Sequence, residues 1–338
     1  MSKKLLFNNV VIANEVFPPI GEYTIMEITA LNKIYTSFDA SDVTELYVDE
    51  VLTTPTDTVR FQGLGTHTIR FKGNVSRFDL IGSCTIKQLS PTTTTLFRLF
   101  GQKSGSGFNS TIGENFIFGN IYNDYITDIR QLFSFIELMG EQATITIEHL
   151  NLPNCTDAMH LFNRGQGKSN QPIETIIISN CIFNGGIRMW GAFADCKVKN
   201  IKIINSVIVT RNIANMLALD EKRNDDSYTS IPLAVDFTDT TFLNPKDSGI
   251  DISYIVRFRN IQEIDLSFIK GNISTMYGCF CGCRNLKRVN LRGLKVLPTT
   301  RTDEKCFEGV PSDCVVLVDK NFLFTEQDVG FTGTFTRV

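Results

Sequence analysis

Short stretches in which apolar and polar residues alternate recur along the chain, and their spacing predicts a repeat. IETIIIS (173–179), VKNIKII (198–204), IQEIDLS (261–267) and LKRVNLR (286–292) share an apolar-x-x-apolar-x-apolar frame. Weaker copies lie at GENFIFG (113–119), QATITIE (142–148), PLAVDFT (232–238) and DCVVLVD (313–319). Residues two apart on a strand share a face, so each frame predicts a strand with its middle apolar residue turned inward. Those residues are Phe116, Ile145, Ile176, Ile201, Val235, Ile264, Val289 and Val316, at intervals of 29, 31, 25, 34, 29, 25 and 27 residues. A single unit of this length cannot bury its apolar stripe, whereas stacked units form one continuous core.

Two further features repeat with the strands. A second inward apolar residue follows at Leu152, Phe183, Ile208, Phe242 and Val296. A bulky apolar residue a few positions before an aromatic precedes most strands: AMHLFNRG (158–165), MWGAFADC (189–196), YIVRFRN (254–260), MYGCFCGC (276–283) and DEKCFEGV (303–310). In this register Phe280 matches Phe193, Cys283 matches Cys196 and Cys279 matches Cys306. Intervals near 30 residues together with this segment suit a strand plus a helical turn.

The period does not reach the ends. In residues 1–85, TELYVDE (44–50), DTVRFQG (57–63) and HTIRFKGN (67–74) alternate around tight turns and predict a β-rich cap or docking region. Residues 86–319 form the repeat array. Residues 320–338, with alternating Phe and Thr, form a tail that caps the far end or adds to a neighbouring subunit. Polar insertions at 101–110, 163–172 and 220–230 read as surface loops. Gly165-Gln166-Gly167-Lys168-Ser169 lacks the glycine-to-lysine spacing of a phosphate loop.

Composition narrows the partners. A 42% apolar and 20% charged chain of 338 residues folds, and its net charge of -3 supplies no broad field for a phosphate backbone, so nucleic acid is not an expected partner. The first residues, MSKKLLFNNVVIANEVF, are too short and polar for a signal peptide, and no apolar run approaches a membrane span. The expectation is a chain made in a cytoplasm, soluble, without membrane insertion. Nine cysteines, an odd number spread over a long chain, are expected as free thiols.

Candidate chemistry is sparse. Cys279-x-Cys281-x-Cys283 does not have the two-residue spacing of zinc pairs, and His67, His149 and His160 lie far off in sequence. No metal or cofactor is expected. Outward residues of stacked strands form a column, Ile117, Thr146, Ile177, Lys202, Asp236, Asp265, Asn290 and Leu317, flanked by Glu148, Glu263, Arg288 and Arg292. The candidate binding face is therefore Lys202, Asp236, Glu263, Asp265, Arg288, Asn290 and Arg292. Asp236 and Asp265 as stacked neighbours would raise one carboxyl pKa or attract a cation, and two carboxylates are the minimum for glycoside hydrolysis. The preferred reading of these positions is an ordinary solvated polar face, since exposed strand faces are usually polar. His160 is expected at the surface; Trp190, matching Tyr277, is expected in the core first, with an interface anchor as the alternative.

IQEIDLSFIKGNISTMYGCFCGCRNLKRVNLRGL, within residues 261–309, resembles the leucine-rich repeats of the BspA-like type, in which a strand, a variable turn and an M-x-x-x-F-x-G-C segment recur. The chain departs from that type by using Ile, Val and Phe for leucine, by irregular repeat lengths and by lacking an asparagine ladder. The resemblance implies an α/β repeat solenoid, rich in β structure, with parallel stacked strands and short helical turns. The alternative is a right-handed parallel β-helix, which IETIIISNCIFNGG and KNIKIINSVIV also suit. The resemblance further implies a non-enzymatic protein-interaction scaffold. Lacking an export signal, such a scaffold is expected in a phage virion, in the tail, fibre or baseplate, as a structural or host-receptor-binding protein. Its expected partners are other virion proteins, a bacterial surface protein or glycan, and further copies of itself. The alternatives are a BspA-like adhesion module at a bacterial surface and a tailspike-like polysaccharide-degrading enzyme.

Overall fold

The computed structural model describes residues 2–7, 10–16, 20–30, 36–61, 64–79, 81–101, 110–140, 142–167, 171–220, 229–245 and 249–338. From Asn115 onward the alternating stretches are parallel strands in side-by-side register, each interval making one coil of a β-solenoid. On the first face Phe116 pairs with Ile145, Ile145 with Ile176, Ile176 with Ile201, and Ile201 with Val235. Further along, Ile264 pairs with Val289, Val289 with Val316, and Val316 with Phe335. The two runs join where Leu233 pairs with Ile261, and the break between Asn260–Ile261 and Glu263–Asp265 at Gln262 shifts the register by one residue. Unequal repeat lengths leave the row intact; the longest interval contains residues 221–228, which lie outside the described residues.

The second face stacks Phe183 on Ile208, Ile208 on Phe242, and Phe242 on Ile269, and continues from Ile273 to Val296. Between these faces the chain turns on a column of left-handed residues, Asn120, His149, Asn180, Asn205 and Asp239, with φ from 50° to 57°. Asparagine, aspartate and histidine are enriched in this region, so a mixed ladder of them is what the bend selects. The sequence lacks an all-asparagine ladder, and the fold uses this substitute.

The third face corrects the expectation of helical turns. Among the described residues the longest helical element is the 3-10 turn Gln327–Val329. The M-x-x-x-F segments instead alternate their hydrogen bonds. The N–H groups of Met189, Gly191, Phe193 and Asp195 donate to Asn212, Ala214, Met216 and Ala218 on the next coil, while Ala192, Ala194 and Cys196 donate back three residues. A helix would direct successive N–H groups to carbonyls four residues back in its own segment; here every second one fastens coil to coil. The architecture is therefore the β-solenoid alternative and not an α/β leucine-rich repeat. Left-handed residues four apart, such as His160 with Arg164 and Gly278 with Gly282, make the double turn.

This face places one inward row, Phe100, Phe133, Phe162, Phe193, Leu217, Val256, Phe280 and Phe307, all at most 1% exposed. YIVRFRN therefore contributes Val256 to the core, and Phe258 takes the outward position that Gly282 occupies on the next coil. A polar ladder enters the face: Thr95, Asp128, Asp157, Arg188, Asn212, Asp251, Thr275 and Arg301 stand in successive register. Asp128, Asp157, Asn212 and Asp251 each accept from a backbone N–H two residues on, which fixes the turn.

The ends differ from the array. Thr24–Ala30 lies antiparallel between Gly65–Ser76 and Ile81–Gln88, and Thr36–Val48 pairs antiparallel with Gly65–Ser76. Parallel pairing begins with the Ile20 to Leu89 bridge and the Ile81 to Ile112 pair. Ser2–Phe7 and Val10–Val16 pair as an antiparallel hairpin. At the other end Phe335–Arg337 pairs in parallel with Val315–Val318, so the tail contributes a further strand, and Phe322, Phe331 and Phe335 close the core. Buried apolar residues run without interruption from Met26 to Phe335. No helix among the described residues is long and apolar enough to cross a membrane.

Candidate functional site

The structure divides the candidate strand face at the register shift. Lys202 and Asp236 are paired neighbours on one side, with Thr146 and Ile177 continuing the column. On the other side Glu263 pairs with Arg288 and Asp265 with Asn290. Lys202, Glu263, Asp265, Arg288 and Arg292 are exposed, Asp236 is half-buried, and Asn290 is buried. Asn290 Nδ2 donates to Asp265 Oδ2 at 2.8 Å, and Arg292 Nε donates to Asn290 Oδ1 at 3.0 Å. Asp265, Asn290 and Arg292 therefore form one connected group.

Asp236 and Asp265 share a cleft of about 370 Å³ with Thr238, Asp239, Ser267 and Lys270. Both acids are engaged by their own turns. Asp236 Oδ1 accepts from Thr238 N at 2.9 Å and Thr238 Oγ1 at 2.6 Å, and Asp265 Oδ1 accepts from Ser267 N at 2.7 Å. The Thr238 hydroxyl bond leads in holding the Asp236 carboxyl below its ordinary range, helped by Thr238 N and Lys202. At Asp265 burial pushes upward, and the bonds from Ser267 and Asn290 with the Arg292 charge outweigh it, leaving that carboxyl low as well. Neither is raised as a proton donor for glycoside cleavage must be. The D-x-[S/T] spacing, at Asp236 to Thr238, Asp251 to Ser253 and Asp265 to Ser267, is the sequence signal for this turn chemistry.

The cysteine triplet alternates as a strand does. Cys279 and Cys283 are fully buried and donate to the carbonyls of Ile252 at 3.3 Å and Val256 at 3.0 Å, while Cys281 lies half-buried, with Sγ 3.7 Å from Glu308 Oε2. Burial pushes the Cys283 thiol up to about 12 and the Cys281 thiol up to about 11. Two thiols face the core and the third faces out, so they do not converge on one ion. Among the described residues no group of three or more His, Cys, Asp or Glu side chains is placed to hold a metal.

Sequence reasoning missed the outer surface of the third face. A cleft of about 480 Å³ is lined by Asn163, Arg164, Trp190, Asp195, Asn215 and Tyr254, among others. A second, of about 450 Å³, continues it through Tyr254 and Arg257 to Cys281, Arg284, Lys305 and Glu308. Small residues form the hollows: Gly191, Ala194 and Ala218 in the first, Gly282 and Gly309 in the second. Rings fold over glycines of the next coil. A Cβ on Gly278 would lie 2.3 Å from Tyr254 Cε1, and one on Gly282 would lie 2.1 Å from Phe258 Cδ1.

Trp190, expected in the core, is half-buried at the wall of this groove, its ring 4.7 Å from that of His160 and nearly perpendicular to it. His160, expected at the surface, is half-buried, and its Nδ1 is enclosed without a hydrogen-bond partner. Burial leads in lowering the His160 pKa. The guanidinium of Arg257 lies 4.8 Å from the Tyr254 ring centroid. The available signal was the run of left-handed positions four apart, which turns their side chains outward, but positive φ at residues such as His160 and Tyr254 is not readable from residue type. Residues 102–109, 168–170 and 221–228, within the insertions read from the sequence as surface loops, lie outside the described residues. Comparison with family models, with curated proteins and with solved structures finds no match to this chain.

Proposed function

We propose that the chain is a non-enzymatic interaction scaffold of a phage particle, a tail, fibre or baseplate component that contributes to host recognition. The observation that carries this reading is the continuous solenoid itself. Its interior is filled with apolar side chains from Met26 to Phe335, so its working parts are its outer faces. Polar groups on those faces are largely committed to holding turns, as at Asp236, Asp251 and Asp265. A stack of coils joined by backbone hydrogen bonds presents an extended, stiff surface, which suits attachment better than a closing reaction pocket. The BspA-like resemblance of residues 261–309 supports the same class of role. Mass spectrometry of purified particles from the encoding genome tests it: the reading requires the chain in the particle, and recovery only in the soluble lysate contradicts it.

A further inference from the structure

The groove on the third face gathers aromatic and polar side chains, some of which also hold the coils: Asn163 Nδ2 donates to Ala194 O at 2.9 Å, and Asp195 Oδ1 accepts from Asp220 N at 2.8 Å. The groove crosses the coils along the stacking direction, following the outward column His160, Gly191, Asn215, Tyr254 and Gly278. Four steps at the spacing of neighbouring strands give about 19 Å of length. Its first part combines two aromatic side chains, Trp190 and Tyr254, with amide, carboxylate and guanidinium groups from Asn163, Asn215, Asp195, Asp220 and Arg164. Its second part holds Arg257, Arg284 and Lys305 against one carboxylate, Glu308. The ligand therefore meets aromatic side chains and mixed donors and acceptors at one end, and an excess of positive charge at the other.

We infer that this groove binds an acidic polysaccharide, with hexose rings against Trp190 and Tyr254 and a uronate carboxylate at Arg257, Arg284 and Lys305. This rests on the host-recognition reading and specifies its ligand class. Sugar hydroxyls both donate and accept, matching walls that offer both. The C–H face of a pyranose packs on an aromatic side chain, and guanidinium groups take a carboxylate through paired N–H donors. A peptide added as a strand fits poorly. That mode needs a free strand edge, whereas backbone N–H groups of this face are already used between coils or within turns, as at Gly191, Ala192, Phe193 and Ala194. An amphipathic helix needs a continuous apolar groove for large side chains, and here Asn163, Arg164, Asp195 and Asn215 interrupt the glycine, alanine and aromatic lining.

Trp190 is the chain's single tryptophan, so its fluorescence reports on this groove alone. The purified chain is titrated with hexameric oligogalacturonate, with maltohexaose and with a polyglutamate peptide. Oligogalacturonate is expected to shift the emission saturably and more weakly at high salt, with maltohexaose binding at least about tenfold less tightly. Arg284→Gln and Lys305→Gln, both at exposed positions, are each expected to weaken oligogalacturonate binding about tenfold while leaving the melting temperature unchanged. Calorimetry with Trp190→Phe checks binding without the reporter. Silence towards oligogalacturonate, equal binding of polyglutamate, or binding untouched by both substitutions overturns the inference. A silent groove in a chain still found in particles removes the ligand and leaves the scaffold reading standing; absence from particles removes the scaffold reading whatever the titration gives.

Discussion

The rings of Phe133 and Phe162 lie 5.0 Å apart and within 7° of parallel, although 29 residues separate them. Phe193 extends the stack at 5.4 Å, and Leu217 and Val256 then occupy the same row. Phe162→Ala removes a ring packed on both sides and is expected to cost about 3–5 kcal/mol, whereas Phe162→Leu costs less because the row already accepts aliphatic side chains. Urea denaturation monitored by circular dichroism measures both. Equal stability of the alanine variant and the parent would place this residue outside a packed stack.

Asp236 and Asp265 act through their turns. Both folded carboxyl pKa values are depressed, so their stabilisation is complete above the unfolded value and fades as pH falls through the folded one. Loss of this contribution is therefore expected below about pH 4. After allowance for solvent screening, Asp265→Ala is expected to cost about 0.5–1 kcal/mol at neutral pH, and the cost should shrink as pH is lowered. Asp265→Asn keeps an acceptor for Ser267 N and should lose less. Stability curves at several pH values decide it; a penalty that grows in acid contradicts the turn assignment.

Cysteine reactivity should follow burial. Of nine thiols only Cys281 is not buried, and burial pushes those of Cys155 and Cys196 up to about 12. Brief treatment of the native protein with iodoacetamide at mild alkaline pH should modify Cys281 ahead of the rest, with Cys279, Cys283 and Cys306 reacting only after denaturant is added. Peptide mass mapping reads the order. Early labelling of Cys279 would show that the coil around it is not closed.

Two glycines separate backbone strain from steric conflict. Gly293 has φ of 82° with nothing near a notional Cβ, while at Gly330, φ of 66°, that atom would lie 1.7 Å from the Glu304 carbonyl oxygen. Gly293→Ala is expected to cost about 1–2 kcal/mol from the left-handed backbone alone. Gly330→Ala should cost more, because backbone must move as well. Matched thermal melts compare them, and equal penalties would contradict the close approach at Gly330.

The first face was legible because its information is local. Alternation fixes which residues point inward, and Phe116, Ile145, Ile176 and Ile201 took the predicted row despite intervals of 25 to 31 residues. The third face was misread for a physical reason. A bulky residue four positions before an aromatic satisfies a helical turn and also a double left-handed turn, and the choice lies in hydrogen bonds to the next coil that residue type does not encode. The same ambiguity shifted YIVRFRN by two positions, putting Phe258 where Val256 belongs. At the candidate site the sequence reading saw Asp236 and Asp265 as charges on a face and missed the hydroxyl or amide two residues later that each of them accepts from.

The central claim is that coils separated by 25 to 34 residues lie side by side in fixed register. Pulsed electron paramagnetic resonance between spin labels on exposed first-face positions tests it most directly, in a Cys281→Ala background. Asn115 and Ala234 stand four coils apart, and Ile117 and Lys202 three. Backbone separations of about 19 Å and about 14 Å are expected, each with a narrow distribution once label length is included. Broad distributions, or a four-coil pair no farther apart than the three-coil pair, would contradict the stacked solenoid.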